Sequence, residues 1–130
     1  MIDLFSLHMI LLYAVFYGIT MKVADLFNEH EFKWFKHADV LFGSLWGIFG
    51  ALLVISNMII GNVILAMIIA FLIRRRIDHI NHAIAVIIIF IVFLVYVAFN
   101  PIIFVTFFFL LCLPAIFDLL YNQILPLLLL

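Results

Sequence analysis

Long apolar runs alternate with two short charged segments along the chain. The charged segments are residues 22–39 and 74–82, and residues 40–73 between them contain no Asp, Glu, Lys or Arg. A helix that crosses a bilayer needs roughly 20 residues, so this uncharged stretch is too long for one ordinary span. The run "SNMIIGN" within it, Ser56 to Asn62, contains residue types that favour turns. The pattern therefore predicts two spans joined by a tight hairpin.

The remaining runs complete an all-α, polytopic helical membrane protein. The dipeptide Asn100-Pro101 separates the last two apolar runs, because proline removes a backbone donor and restricts the residue before it. We predict one domain over residues 1–130 with about five transmembrane helices. Their approximate bounds are 2–21, 40–56, 60–74, 83–99 and 102–119, followed by a hydrophobic tail at 122–130.

Composition agrees with this class. Hydrophobic residues make up 71% of the 130 positions and charged residues only 10%, against about 25% charged in soluble domains. The formal net charge of −1 provides no basic surplus for binding nucleic acid. We predict a multi-pass protein of the cell membrane.

The basic residues predict an orientation. All of them fall in the two charged segments, which share one side of the membrane if the chain crosses five times. The positive-inside rule makes that side cytoplasmic and puts the N-terminus outside. The six basic residues are Lys22, Lys33, Lys36, Arg74, Arg75 and Arg76.

Small residues recur at four-residue intervals in the second apolar run, at Gly43, Gly47 and Ala51. This spacing forms a groove on a helix that lets another helix approach closely. It predicts helix packing within the chain or between subunits, in a homo-oligomer or a complex with another membrane protein.

The first charged segment favours a helical continuation of span one. At 100° per residue, five of its seven charged positions fall within a stripe of roughly 80°. One interpretation is a solvated face with weak ion pairs. The other is a Mg²⁺ site at Asp25 and Glu29, because hard cations take carboxylate oxygens. The stripe comprises Lys22, Asp25, Glu29, Lys33 and Lys36.

The second charged segment stacks Arg74, Asp78 and His82 on one face if the third helix continues through it, with Arg75 and His79 on the neighbouring row. Arginine clusters are suited to binding phosphate. The simpler alternative is that the arginines fix the topology and that Asp78 or Asn81 caps the fourth span. A third interpretation is a zinc or iron site, with ligands His30, His37, His79 and His82.

The pattern Asp25-x-x-x-Glu29 at a cytoplasmic helix end beside lysines resembles the aspartate-rich motif of the UbiA-type intramembrane prenyltransferases. Asp78-x-x-x-His82 stands where the second motif of that family belongs, with a histidine in place of its last acid. The family has more spans and more aspartates in its first motif. The resemblance implies a membrane transferase whose acidic motifs hold Mg²⁺ against a prenyl pyrophosphate.

The leading hypothesis is a small enzyme that uses Mg²⁺ to act on a lipid (prenyl) phosphate or pyrophosphate at the cytoplasmic interface. The alternatives are a subunit of a transporter or channel, and a structural partner in a membrane complex without catalysis. In the enzyme hypothesis the metal ligands are Asp25, Glu29 and Asp78, the phosphate ligands are Arg74, Arg75, Lys33 and Lys36, and the catalytic residues are His79 and His82.

Overall fold

A computed structural model describes residues 5–29, 34–74, 77 and 79–129 of the chain. This part is all-helical with no strand in it, so the predicted fold class is confirmed at that level. The helices are α1 (Leu7–Glu29), α2 (Ala38–Ser56), α3 (Met58–Ile73), α4 (Ile80–Tyr96), α5 (Pro101–Leu119) and α6 (Leu125–Leu128). A π-helical turn, Leu120–Ile124, joins the last two.

Two asparagines begin helices at the breaks between apolar runs. The Asn57 side chain accepts hydrogen bonds from the backbone N–H groups of Ile59 and Ile60, at 2.7 and 3.4 Å. Asn100 accepts from Ile102 and Ile103 in the same way, at 3.1 and 3.2 Å, and Pro101 occupies the first turn of α5. Each side chain satisfies amides that have no partner within the helix.

The hairpin between α2 and α3 is tighter than the sequence predicts. Only Asn57 leaves the helical conformation, whereas Gly61 and Asn62 are buried inside α3. The Asn62 amide group instead binds a distant part of the chain. Its Nδ2 donates to Met58 O (2.8 Å) and Ala98 O (3.0 Å), and its Oδ1 accepts from Asn100 N at 2.7 Å. The extended link 97–100 is thereby fixed to α3.

Two predicted helical continuations are wrong. The first stripe does not reach Lys36, because α1 ends at Glu29 and Lys36 lies in the link before α2, where His37 has a left-handed backbone (φ 66°). Arg74 and His82 do not stack on one helix either. Arg74 follows the last turn of α3, and His79 is extended (φ −118°, ψ 153°) before α4 begins.

Asn81 does not cap α4, in contrast to the alternative raised from the sequence. The residue that precedes the helix is His79, whose side chain makes no capping hydrogen bond. From within the first turn, the Asn81 Oδ1 accepts from His82 N at 2.8 Å, and its Nδ2 donates to Ala24 O of α1 at 2.9 Å, where both residues are buried. This side chain therefore links α4 to α1.

Helix α2 is central and packs against both α1 and α4, while α3 packs mainly on α5. Glycines allow the close contact between α2 and α4. A Cβ atom at Gly43 would lie 2.6 Å from both Cα and O of Asn81, and one at Gly47 would lie 3.0 Å from Ala85 Cα. Ala51 is buried on the same helix. Any larger side chain at Gly43 would have to push α4 away.

The helices alternate in direction, so the bundle has two different ends. We call the end where α1 and α3 finish and α2 and α4 begin the charged end. It carries Lys22, Asp25, Arg74, His79 and His82. The opposite end carries the capping residues Asn57 and Asn100.

Among the described residues, two helices are long and apolar enough to cross a membrane, Leu7–Phe27 within α1 and Ala38–Ser56, which is α2. Three shorter apolar helices are Met58–Ile73, Ile80–Tyr96 and Pro101–Pro114.

Candidate functional site

A cavity of about 480 Å³ opens at the charged end of the bundle. Helices α1, α3 and α4 form its walls, and α2 contributes Trp46. Its volume lies within the range of about 300–1,000 Å³ that is usual for small-molecule sites. The lining residues are Met21, Lys22, Asp25, Trp46, Met67, Ile68, Phe71, Arg74, Ile77, His79, His82, Val86 and Ile89.

The lining is divided between a polar rim and an apolar interior. Lys22, Asp25, Arg74, His79 and His82 form the rim, since each lies within two turns of the charged end of its helix or in the link between α3 and α4. Two turns further along α3 and α4 the walls are aliphatic. The cavity therefore offers charged groups at its mouth and hydrocarbon at its base.

The base of the cavity is part of the hydrophobic core. Ile68 is 2% exposed and Ile89 is 1% exposed, and both belong to the core cluster that α1, α2, α3 and α4 share. Met67 and Val86, one helical turn or less from them, are half-buried. The inner part of the cavity is thus lined by residues of the packed core.

A polar network spans the rim between α1 and α4. His82 Nε2 lies 3.0 Å from Asp25 Oδ1, and Lys22 Nζ lies 3.7 Å from Asp25 Oδ2. The side chains of His82 and Asp25 are 16% and 24% exposed, whereas that of Lys22 is 76% exposed. Both oxygens of the carboxylate therefore face a nitrogen of the same chain.

Aromatic contacts fix the imidazole of His82. The Trp46 ring lies at right angles to it with ring centres 5.4 Å apart, and the His79 ring is similarly perpendicular at 5.8 Å. Trp46 is itself buried and packs against Tyr17 of α1. The imidazole is held on two sides, so its position relative to Asp25 is defined by packing as well as by charge.

Arg74 lies across the mouth from this network. Its exposed side chain makes no ion pair or hydrogen bond within the described part of the chain. The residue sits at the C-terminal end of α3, where a cation also complements the helix dipole.

The structure brings four of the predicted site residues together, namely Asp25, Arg74, His79 and His82. Lys36, predicted to bind phosphate, lies in the link before α2 and does not line the cavity. The predicted positions Lys33, Arg75 and Asp78, together with His30 of the zinc or iron alternative, lie outside the described residues. So does the side chain of Glu29, although its backbone ends α1.

Sequence reasoning assigned no site role to Lys22 or Trp46. A signal for Lys22 exists, because it precedes Asp25 by three positions on one helical face, a spacing that brings side chains together. Nothing local marks Trp46, since only the crossing of α2 with α4 brings its ring to His82.

The described residues do not assemble the predicted metal site. No three His, Cys, Asp or Glu side chains among them are grouped closely enough to hold a metal ion. Asp25 is the one proposed Mg²⁺ ligand whose side chain is described, and His82 and Lys22 occupy its two oxygens. We therefore derive no chemical step through a metal.

Comparison with protein families, curated proteins and solved structures finds no significant match to this chain. The resemblance to UbiA-type prenyltransferases stays a prediction from two short segments, and function has to be argued from the cavity.

Proposed function

We propose that the protein is a multi-pass membrane protein in which α1 to α5 each cross the bilayer. Large apolar side chains on the outward faces support this. Leu11 of α1, Ile87 of α4, and Ile102 and Phe109 of α5 are all more than half exposed. Water-soluble monomers rarely expose contiguous apolar patches of more than a few hundred Å². In a bilayer these faces contact hydrocarbon, so the free-energy cost of exposing them to water is avoided.

Three hydroxyl groups within the helices fit the same proposal. In a bilayer each polar group needs a partner inside the protein. The hydroxyl of Thr20 donates to Phe16 O at 2.7 Å, that of Ser44 to Val40 O at 2.8 Å, and that of Thr106 to Ile102 O at 2.8 Å. These contacts leave the helix surfaces effectively apolar.

Within that membrane protein, we infer that the cavity binds an amphiphile with an anionic phosphate headgroup. The observation that carries this proposal is the division of one cavity into a cationic rim and an aliphatic base. The headgroup would lie between Lys22 and Arg74, at the level where the bundle meets water on the cytoplasmic side. The hydrocarbon chain would lie between α3 and α4.

Charge supports an anionic ligand. Lys22 and Arg74 provide two positive charges, and Asp25 is the single acid among the described lining residues. Arginine presents paired N–H donors that match phosphate oxygens, and Arg74 is not already engaged by a described carboxylate.

This proposal keeps the lipid phosphate of the sequence-based hypothesis and makes binding, rather than transfer, the function. The described part of the site supports direct contact between cations and phosphate. It does not require Mg²⁺ at Asp25, whose carboxylate already organises His82 and Lys22.

The test is thermal stability of the purified protein in amphipol with octyl phosphate, using octanol as the neutral match. A ligand that binds only the folded state raises the melting temperature. We expect octyl phosphate to raise it and octanol to do so far less. The variant Lys22→Gln/Arg74→Gln should lose the difference between the two ligands.

The matched control is Lys36→Gln, which removes one cation from the same end of the bundle but not from the cavity. It should respond to octyl phosphate as the native protein does. If octyl phosphate gives no shift, or if Lys36→Gln weakens the shift as much as the double variant, the proposal is wrong.

A further inference from the structure

The depth of the cavity limits the ligand it can hold. Along α4, the rim residue His82 and the base residue Ile89 are separated by two helical turns. Along α3, Arg74 and Met67 are separated by the same number of turns. At a rise of 1.5 Å per residue, both walls are about 10 Å deep.

The two residues at the base, Ile68 and Ile89, are packed into the hydrophobic core. Ile89 fits against α2 and α1, because its Cγ1 and the Tyr17 ring both lie within 3.0 Å of where a Cβ at Gly50 would be. Ile68 is buried beside it in the same core. A chain longer than the cavity cannot extend further inward without separating helices.

One leaflet of a bilayer contains about 15 Å of hydrocarbon, half of the total of about 30 Å. The acyl chains of ordinary two-chain lipids fill that depth, so neither chain fits wholly between the rim and a base about 10 Å below it. The rim adds a second restriction, because a headgroup held between Lys22 and Arg74 fixes the start of the chain at the mouth.

We propose that the site selects short, single-chain alkyl or prenyl phosphates. The distance from the rim to Ile89 sets the longest hydrocarbon chain that the cavity can hold. This inference rests on the proposed phosphate-binding function. Each methylene that enters the aliphatic base gains the hydrophobic free energy of burial, which at about 0.8 kcal/mol is roughly fourfold in affinity. The gain ends where the extended chain reaches Ile89.

The experiment measures dissociation constants of butyl, hexyl, octyl, decyl and dodecyl phosphate for the full chain in amphipol. We expect affinity to rise roughly fourfold per methylene up to about octyl, whose extended length is close to that of the cavity, and then to stop rising. Dioctanoyl phosphatidic acid serves as the two-chain ligand and should bind more weakly than octyl phosphate.

A variant within the cavity tests directly whether the depth of the cavity limits the length of the bound chain. Val86 is half-buried in the lining, and Val86→Phe would shorten the aliphatic part of the cavity. Ile87→Phe makes a similar change on the outward face, where Ile87 is 57% exposed. We expect Val86→Phe to move the end of the affinity gain to hexyl or shorter and Ile87→Phe to leave it at octyl. The ratio of affinities between variants cancels the partition of each ligand into amphipol.

The outcomes separate this inference from the proposed function. If no phosphate of any length binds, the proposed function itself fails. If alkyl phosphates bind but affinity keeps rising through dodecyl, the inference alone is wrong. The same holds if the two-chain lipid binds as well as octyl phosphate, or if Val86→Phe and Ile87→Phe behave alike. Melting temperatures without ligand show whether each variant remains folded.

Discussion

The Asp25 carboxylate and the His82 imidazole lie 3.0 Å apart, although 57 positions separate them in the chain. Asp25 follows the first apolar run, and His82 precedes a later one. The contact therefore joins the two charged segments, 22–39 and 74–82. Lys22 and Trp46 approach the same pair from α1 and α2. A single network therefore organises the mouth of the cavity.

Asp25→Asn distinguishes direct phosphate binding from binding through Mg²⁺. If cations contact the phosphate directly, loss of the acid keeps octyl phosphate binding or strengthens it by up to about fivefold, the equivalent of about 1 kcal/mol for a partly exposed charge. Isothermal titration with and without EDTA provides the measurement. Asp39→Asn, in the first turn of α2 outside the cavity, is the control. Loss of binding in Asp25→Asn alone would favour the metal hypothesis.

Gly43→Ala should destabilise the protein by about 1–3 kcal/mol, the usual cost of overpacking. The added methyl group would meet the backbone of Asn81, which cannot rotate away as a side chain could. Gly18→Ala is the matched control on α1, where nothing lies within 4 Å of the added carbon. It should be neutral or stabilising by up to about 1 kcal/mol, because alanine favours helices. Unfolding monitored by tryptophan fluorescence compares them, and equal effects would contradict the close contact between α2 and α4.

Asn62→Ala should cost about 2–4 kcal/mol, since it removes three hydrogen bonds of a fully buried side chain and leaves Asn100 N without its acceptor. Asn57→Ala removes only a helix cap and should cost about 1 kcal/mol. Chemical denaturation gives both values. Limited proteolysis should cut the link 97–100 faster in Asn62→Ala. A protected link in that variant would show that other contacts hold it.

Ile87→Lys tests whether α4 crosses a bilayer. A lysine near the centre of a spanning helix costs about 2.5–3.5 kcal/mol for insertion, whereas a surface substitution on a soluble protein usually changes stability by less than about 0.5 kcal/mol. Phe35→Lys is the control, because Phe35 is also exposed but lies in the link between α1 and α2. The fraction of protein resistant to alkaline carbonate extraction should fall for Ile87→Lys only. Equal extraction of both variants would contradict a spanning α4.

Apolar runs and turn residues predict the helices of this protein well, because the residues within each segment determine that it forms a helix. Asn100-Pro101 marks the start of α5 for local reasons that are visible in the sequence. The prediction that Asn62 lies in a turn was wrong, because the role of this residue depends on a distant part of the chain. An asparagine after a glycine is typical of a turn, but here its amide is used by residues 98–100, which no local pattern reveals.

Several residues of the site could be predicted from the sequence, but their arrangement in space could not. The order of the apolar runs predicts that Asp25, Arg74, His79 and His82 lie at one end of the bundle, because the charged segments follow the first and the third predicted helix. Their arrangement around a cavity depends on how α2 crosses α4, and hence on Gly43 and Asn81. The apolar base could not be distinguished in the sequence from the many other aliphatic positions.

The hydrogen bonds of Asn62 also constrain the order in which the protein can be built. When the ribosome has produced α2 and α3, the groups that complete this amide, at Ala98 and Asn100, have not yet been synthesised. In the membrane topology that we propose, the early hairpin therefore carries a polar side chain with incomplete partners, which hydrocarbon tolerates poorly. Until α4 and the link after it arrive, that hairpin needs water, a neighbouring helix or an insertion factor beside Asn62.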